Sequence, residues 1–519
     1  MVARKPILFT FAWWLALASG CGGGKKIPPP PPALMITTPS LPDWMLTFPY
    51  AQTVQASGGV PPFTWSLASG NFPHGLSLGS SSSTSVTISG TPDVAESATF
   101  TVQVKDARNQ TATQAYGVNI ESLVTVQLQE VQGQVSAGTT EIRGLSAGPF
   151  NPTEWQKDTL NWVPDFRMPL LAPLPGVWQN IYSPWALEQP GGWRLFYGGW
   201  DGTDTSNDRV YSGTTADFFS FNNRGLVIDH GVFAHVNNVN VSQLANGSLH
   251  MICTVLQEPA DLDKPAYFSS PDGATWNGSP PPYSAQTTDV VLIPNDPNYP
   301  GWDFNGGNVL LWDNDAWTLY YSVGVYGGIG KVFRATSGAP PEFQQAGVAL
   351  NTLHYANDVR KFKVGGSNWY LMLLYIEEVK LGDTPSPVFS YSLSNDGLTF
   401  GAEQSLFGGS SQQDHFVTTP SLVIKGSTIL GVLYGGNPVD LLNPQNAIYA
   451  RWLQKKIVIT DSFGSQSSLL GSYGPDRQWF TMPQSVTGTI SVYAEDGVTP
   501  LGKGNVNLSG AQSYMLVLN

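Results

Sequence analysis

The sequence feature that most constrains the fold is a unit that recurs five times in the middle of the chain. Its clearest copy spans residues 302–337, where a polar opening precedes an apolar strand at 308–311, a turn at 313–315, an aromatic strand at 317–322 and a strand at 331–336. Segments that match the aromatic strand lie at 192–197, 247–252, 368–373 and 427–432. Copies roughly 50 to 70 residues apart suit four-stranded sheets and are too long for helical repeat units. The repeats therefore predict a closed ring of five sheets, a five-bladed β-propeller.

Two copies carry an additional turn signal after their third strand. An Asp-Gly pair begins at Asp272 and another at Asp396, and each Asp is followed four residues later by an aromatic residue, Trp276 or Phe400. Asp-Gly pairs favour tight turns, and a large aromatic side chain next to the turn gains most by burial. We expect both aromatic side chains to pack against the neighbouring blade.

The composition fits an exported all-β protein. The 519 residues include 55 glycines and 40 prolines, with 12% aromatic and only 12% charged residues. The formal net charge is -13, and no basic patch is present to offset a phosphate field. The chain is therefore a poor partner for nucleic acid or for anionic lipid head groups.

The first 20 residues are typical of a signal peptide. Arg4 and Lys5 precede an apolar run at 7–18 that is short for a bilayer span, and small residues lead to Cys21. The stretch 18–21 resembles a bacterial lipobox, which implies cleavage before Cys21, lipidation of its thiol and an exported protein that faces the periplasm or the cell surface. The alternative is an ordinary secretory signal. Residues 21–32 are rich in Gly and Pro and predict a tether between the lipid anchor and the folded domains. We therefore expect the protein to contact the membrane only through the lipid on Cys21.

The second cysteine, Cys253, lies in an apolar stretch of the second repeat. Once Cys21 is lipidated, no intramolecular disulfide is possible. We expect Cys253 to be a small buried side chain and not a nucleophile.

Residues 33–122 form a separate domain. Short alternating strands separated by Gly and Pro predict a β-sandwich. The segments 58–67, 73–78, 88–92 and 100–106 also resemble the immunoglobulin-like domain common in bacterial surface proteins, which is related to the cadherin fold. The resemblance implies a spacer or adhesion module. No cofactor is required by this reading, but a structural calcium ion held by Asp93, Glu96 and Asp106 is an open alternative.

The remaining segments flank the propeller, which we place at 177–460. Residues 123–176 connect the two domains, and their strands at 124–128 and 141–145 are candidates to cap the ring or supply its missing edge strand. Residues 457–460 are a further candidate to complete the ring. Residues 461–519 predict a small C-terminal β unit.

Polar residues open the innermost strands of the predicted blades. In a propeller these openings converge at one mouth of the central channel. Amide, imidazole, guanidinium and indole groups at one mouth suit a sugar, because hydroxyl groups need donors and acceptors while ring faces stack on aromatics. The candidate substrate-binding residues are Trp185, His235, Asn238, Asn305, His354, Arg360 and His415.

The blade pattern resembles the five-bladed propellers of glycoside hydrolase families 32, 43, 62 and 68. The resemblance covers roughly residues 178–454 and implies carboxylates that act as base or nucleophile, orienting group and general acid. The sequence departs from the family in the first blade, where Ser183 precedes Pro184 in place of an Asp, and no Glu opens the fourth inner strand. A hydrolase would have to use Asp303, Asp358 and Asp414 as its catalytic acids.

Each candidate acid also has a structural alternative. Asp303 could cap a turn, Asp358 could pair with Arg360, and Asp414 could hold a loop through backbone N–H groups. A metal site formed by His235, His354 and His415 is a weaker possibility, since none has a closely spaced partner ligand. Two functions remain open: a glycoside hydrolase with displaced carboxylates, and a non-catalytic carbohydrate-binding or adhesion protein.

Overall fold

The computed structural model describes residues 32–46, 50–81, 84–121, 126–130, 139–157, 160–203, 205–257, 262–297, 307–323, 330–376, 389–409, 414–438, 445–460, 468–472, 474–481, 486–508 and 514–518. The predicted signal peptide, Cys21, Asp303 and Asn305 lie outside these ranges. Within them, no helix is long and apolar enough to cross a membrane. The chain divides into two compact units, Met1–Ser122 and Leu123–Asn519.

The first unit is a β-sandwich of two four-stranded sheets. Its strands are β1 (Met35–Ile36), β2 (Trp44–Met45), β3 (Tyr50–Ser57), β4 (Thr64–Gly70), β5 (Leu76–Ser81), β6 (Ser85–Gly90), β7 (Ser97–Lys105) and β8 (Thr111–Glu121). The sheet orders are β1-β3-β6-β5 and β2-β8-β7-β4. Phe100, Val102 and Val104 on β7 are buried and alternate with more exposed residues, as in a sheet with one face in a core. The predicted sandwich is confirmed.

The three carboxylates considered for calcium have other partners in this unit. Asp106 accepts backbone N–H groups from Val60, Arg108 and Gln110 at 2.8–3.0 Å, which fixes a turn. Asp93 pairs with the His74 imidazole, and Glu96 accepts the His74 backbone N–H. Among the residues that the structure describes, no group of three or more His, Cys, Asp or Glu side chains could hold a metal ion.

The second unit is built almost entirely of strands. In chain order its elements are β9 (Val126–Glu130), β10 (Thr139–Arg143), α1 (Pro152–Trp155), β11 (Trp162–Pro164), β12 (Gln179–Gln189), β13 (Gly192–Asp201), β14 (Arg209–Thr215), β15 (Asn222–Asp229), β16 (Val236–Gln243), β17 (Leu249–Gln257), β18 (Leu262–Ser270), β19 (Tyr283–Ser284), a 3-10 helix (Thr287–Asp289), β20 (Asn308–Asp313), β21 (Ala316–Val323), β22 (Lys331–Ser337), β23 (Gln344–Asn351), β24 (Tyr355–Val364), β25 (Ser367–Tyr375), β26 (Phe389–Ser394), β27 (Gln404–Phe407), β28 (Phe416–Lys425), β29 (Thr428–Asn437), β30 (Ala447–Leu453), β31 (Ile457–Thr460), β32 (Ser468–Ser472), β33 (Arg477–Thr481), β34 (Val486–Ala494), β35 (Pro500–Leu508) and β36 (Tyr514–Leu518).

Most of these strands form a ring of sheets, which we call blades 1 to 5. The blades have the orders β12-β13-β14-β15-β19, β16-β17-β18, β20-β21-β22-β23, β24-β25-β26-β27 and β28-β29-β30-β11. The first strand of each blade, its inner strand, contacts the inner strand of the next blade, and β28 contacts β12. The propeller predicted from the repeats is thus the architecture of this unit. The free edge of each inner strand faces the central channel, where the closed ring protects it.

The strand that closes the ring comes from a place that the sequence did not indicate. β11 pairs antiparallel with β30, so residues that precede blade 1 supply the fourth strand of blade 5. The expectation that 457–460 completes the ring is wrong, because β31 pairs with β34 in a separate sheet with the order β31-β34-β35. The strands near 124–128 and 141–145 do not join the ring either. β9 and β10 belong to the sheet β32-β33-β10-β36-β9, which is part of the C-terminal β unit.

The two outer turns join neighbouring blades as predicted. Trp276 is fully buried and meets the ring of Phe196 on blade 1 edge to face at 6.1 Å. Phe400 is 5% exposed and meets Tyr320 on blade 3 at 5.8 Å in the same geometry. Cys253 is also fully buried, as expected, and burial raises the pKa of its thiol.

Candidate functional site at the mouth of the ring

Backbone bulges lie near the beginning of the inner strands. Register shifts interrupt the inner pairing of blades 1, 2, 4 and 5, and Ser183, Asn238 and Thr419 in three of these bulges have positive φ angles of 49°, 51° and 50°. A bulge re-aims side chains and bends its strand. The Ser183 N–H donates to Thr419 Oγ1 at 2.9 Å, and the Val239 N–H donates to Ser183 Oγ at 3.0 Å. The strand openings of blades 5, 1 and 2 therefore meet, and we call this end of the ring the mouth.

Ser183 stands where the resembled family has a carboxylate. Its side chain is fully buried and accepts the Val239 N–H of blade 2, while its backbone N–H donates to Thr419 of blade 5. The hydroxyl group is thus engaged in holding the bulges of blades 1 and 2 together. It gives the mouth no substitute for the missing acid.

Asp358 on β24 forms a buried ion pair. Its carboxylate is fully buried and accepts from Arg360 Nε at 2.7 Å and from the Leu422 N–H of blade 5 at 2.8 Å. A contact to Ser421 Oγ at 3.4 Å adds a weaker partner. Asp358 thus pairs with Arg360, as the structural alternative predicted. The carboxylate binds a neighbouring blade and has no surface toward solvent.

Arg360 also contacts Trp185. Its guanidinium carbon lies 3.8 Å from the centre of the Trp185 ring, and Trp185 is 2% exposed. Trp185 is on blade 1 and Arg360 on blade 4, which are not neighbours in the ring, so the contact crosses the channel. The Trp185 ring faces this guanidinium and not solvent.

Asp414, immediately before β28, is also fully buried. Tyr434 donates its hydroxyl group to Asp414 Oδ2 at 2.7 Å, and Arg451 Nη2 donates to the same oxygen at 2.9 Å. Both partners belong to blade 5. The nearby carboxylate and tyrosine raise the pKa of Arg451 against the opposing effect of its burial. Asp414 therefore cross-links the strands of its own blade.

The three candidate histidines have separate partners. His235 Nε2 lies 3.0 Å from Asp263 Oδ1, and His354 Nδ1 contacts Glu403 on the outer part of blade 4. The His415 ring packs edge to face on Phe416. Asn238, 9% exposed, makes a long contact of 3.5 Å to Thr254 Oγ1. These contacts do not bring the imidazoles into one ligand set.

A polar cluster between blades 1 and 2 contains Asp208, a residue that sequence reasoning missed. Tyr182 donates its hydroxyl group to Asp208 Oδ2 at 2.5 Å, and Asn237 Nδ2 donates to the Tyr182 oxygen at 2.8 Å and to Asp208 Oδ2 at 3.1 Å. Asp208 and Asn237 are each 7% exposed. Burial raises the pKa of the Asp208 carboxyl, opposed by Tyr182, His235, Asn237 and Arg209. Asp208 precedes a third strand, β14, which runs parallel to the inner strand and so also begins at the mouth.

Among the residues that the structure describes, Trp178 is a large aromatic side chain that is accessible beside the mouth. Trp178 is 39% exposed and directly precedes the inner strand β12. Its backbone is fixed, because the Trp178 N–H donates to the Thr203 carbonyl and the Gly202 N–H donates to the Trp178 carbonyl. A fixed backbone with an exposed indole is what ring stacking requires.

Fold and site together define an all-β protein with an immunoglobulin-like domain and a propeller with a polar mouth. Residues 32–121 match the family model He_PIG, described as "Putative Ig domain", which confirms the predicted immunoglobulin-like domain. No curated protein sequence matches the chain significantly.

The solved structures similar to the chain include propeller enzymes, as the predicted resemblance to glycoside hydrolases implied. A glycosyl hydrolase from Bacteroides ovatus is 11% identical with a TM-score of 0.40, over 57% of this chain and 94% of its own. The family 32 β-fructofuranosidase of Bombyx mori is 9% identical with a TM-score of 0.40, over 68% and 89%. An α-L-arabinanase of Cellvibrio cellulosa is 10% identical with a TM-score of 0.37, over 56% and 95%. At this level of similarity, the function has to be argued from the site.

Proposed function

We propose that the propeller binds carbohydrate at its mouth and does not use Asp358 and Asp414 as a glycosidase pair. The observation that carries the proposal is that both carboxylates are fully buried and each is paired with an arginine. Glycosidic cleavage needs one protonated and one ionised carboxyl group on opposite sides of the scissile bond. Carboxylates that already accept from an arginine and have no exposed surface are poorly suited to either role.

The groups around the mouth support a sugar as the ligand. Asn237 and the partly exposed His235 bring amide and imidazole groups, which can form hydrogen bonds with hydroxyl groups. Trp178 adds an exposed indole at the beginning of β12. Sugar rings have polar edges and apolar faces, so a polar rim with one aromatic platform complements them.

Replacing Trp178 with alanine is expected to weaken glycan binding roughly tenfold, about 1.4 kcal/mol, because the stacking surface is lost. The measurement is a glycan array followed by titration calorimetry with the tightest-binding glycan. Trp312→Ala is the matched control, since Trp312 is 36% exposed and stands near the end of the inner strand β20, away from the mouth. Equal affinities of the two variants would contradict a site at the mouth, and catalytic release of sugar by the wild-type protein would contradict a non-catalytic role.

We further propose that the protein is exported and anchored through lipidated Cys21, on the basis of the lipobox-like residues 18–21 and the tether that follows. In a bacterial host fed labelled palmitate, the wild type is expected to incorporate label and to sediment with membranes. Cys21→Ser should lose both properties, because the acylated thiol is absent. Cys253→Ala is the control, since this second cysteine is buried and should have no effect on labelling. Retention of label by Cys21→Ser would refute the anchor.

A further inference from the structure

Asp208 differs from the other buried aspartates in having an oxygen that no residue uses. In the described part of the chain, Asp208 Oδ1 is the one buried aspartate oxygen without a hydrogen-bond partner. Asp201, Asp358 and Asp414, by contrast, each pair with an arginine in their own blade. An unpaired buried polar atom costs stability unless something outside the chain satisfies it.

The neighbouring arginine does not neutralise Asp208. Arg209 Nε donates to Asp229 at 2.7 Å, Nη1 donates to the Asn207 carbonyl, and Nη2 donates to Thr205 Oγ1. The guanidinium is therefore committed elsewhere. His235, which also lies near Asp208, is paired with Asp263. A buried carboxyl group without a contacting cation favours its neutral, protonated form.

The hydrogen-bond pattern indicates where the proton of a neutral Asp208 would lie. Oδ2 already accepts from Tyr182 and Asn237, so the proton belongs on Oδ1. Asn237 Oδ1 is likewise buried without a partner among the described residues. The cluster then has one unused donor, Asp208 Oδ1–H, and one unused acceptor, Asn237 Oδ1. A hydroxyl group needs both an acceptor for its hydrogen and a donor for its lone pair.

We propose that Asp208 and Asn237 form a subsite at the mouth that recognises sugar hydroxyl groups, with Asp208 as the donor and Asn237 as the acceptor. The inference rests on the proposed carbohydrate binding and adds the residues that determine specificity. Tyr182 holds the pair together by donating to Asp208 and accepting from Asn237. Tyr182 is therefore a positioning residue and makes no contact with the sugar in this assignment.

The test uses two substitutions of Asp208 with opposite expected results. The Asp208→Asn variant would present an amide oxygen to Tyr182 and an N–H donor in place of Oδ1–H, so it mimics the protonated acid and should bind. Asp208→Leu has a similar size but no donor and should bind at least roughly tenfold more weakly. The probes are the methyl glycosides of glucose, galactose, mannose, xylose and arabinose, with affinities measured by saturation-transfer NMR.

The pH dependence separates this role from a structural one. Because burial raises the folded-state pKa of Asp208, the donor is present below that pKa and is lost as the pH rises through it. The affinity of the wild type for the glycosides should therefore fall as the pH rises. The affinity of Asp208→Asn should not show this fall, because an amide group does not lose its proton. His235, Arg209 and Tyr182 face the same carboxyl group and are present in both proteins, so the difference between the two pH profiles reports the removal of the Asp208 carboxyl group.

The outcomes distinguish the two levels of the proposal. Asp289→Asn is the control, because Asp289 is another buried aspartate that accepts a tyrosine hydroxyl group, from Tyr283 on β19, the outermost strand of blade 1. Equal binding by the wild type and Asp208→Leu would overturn the subsite and leave carbohydrate binding intact. Failure of the wild type to bind any of the five glycosides would overturn both. Loss of binding by Asp208→Asn at every pH would overturn the role of the neutral acid as donor.

Discussion

Replacing Asp358 with alanine is expected to lower the free energy of unfolding by about 3–5 kcal/mol. The substitution leaves the Arg360 guanidinium, whose side chain is 18% exposed, without its carboxylate, and it removes the acceptor of the Leu422 N–H on the next blade. Urea unfolding followed by tryptophan fluorescence gives the change. A catalytic acid behaves differently, because catalytic carboxylates are held at a cost in stability and their removal is neutral or stabilising.

A double substitution provides the control for Asp358. Asp358→Leu combined with Arg360→Met replaces both charges by apolar side chains of similar size, and it should recover a large part of the lost stability. The recovery would show that the loss in the single variant comes from the unpaired arginine and not from a general disruption of β24. A single variant as stable as the wild type would contradict the structural role and would return Asp358 to the candidate catalytic acids.

The strands of the blades could be predicted because their pairing is local. The third repeat illustrates this, since the predicted strands 308–311, 317–322 and 331–336 correspond to β20, β21 and β22. A short turn at Asn314 and Asp315 joins β20 to β21. Alternating apolar side chains and a turn signal a few residues long are enough to specify such hairpins. The burial of Trp276 and Phe400 could be predicted for the same reason, because each follows its turn directly.

The pairings between distant segments could not be predicted. β11 has three residues and meets β30 nearly 300 residues later in the chain, so neither its length nor its composition marks it as part of a blade. Asp358 has a partner two residues away, Arg360, and that pairing was available as an alternative. Its second partner, the Leu422 N–H, lies on another blade and depends on how the ring closes.

The residues of the candidate site also divide into those that could be predicted from the sequence and those that could not. Sequence reasoning searched the inner strands, because these line the channel, and so found Asp358 and Asp414. Asp208 precedes a third strand, and only the antiparallel order within blade 1 places the start of that strand at the mouth. The signal was present in the Asn207-Asp208-Arg209 sequence and its counterpart at Asp263-Lys264, which also begins a third strand. A search for charged residues at the start of the first and the third strand of each blade would have found Asp208.

Replacing Trp276 with alanine is expected to lower the free energy of unfolding by about 3–5 kcal/mol, because a fully buried aromatic side chain leaves a cavity. Trp276 packs in one core cluster with Phe196 of blade 1 and with Val236 and Val239 of blade 2. The hydrogen bond from Asn237 to Tyr182 crosses the same boundary, between blades 1 and 2. The substitution should therefore weaken glycan binding as well as stability, although Trp276 is far along the blade from the mouth.

Trp276→Phe separates the loss of ring volume from the removal of the indole N–H group. The indole Nε1 of Trp276 is buried and has no hydrogen-bond partner among the described residues. Phenylalanine removes that unpaired donor and keeps most of the ring, so it should destabilise much less than alanine. Trp312→Ala, at a partly exposed position, should cost less still. If all three variants unfold at the same urea concentration as the wild type, the outer turn does not hold blades 1 and 2 together, and the polar cluster between them must be positioned by the inner strands alone.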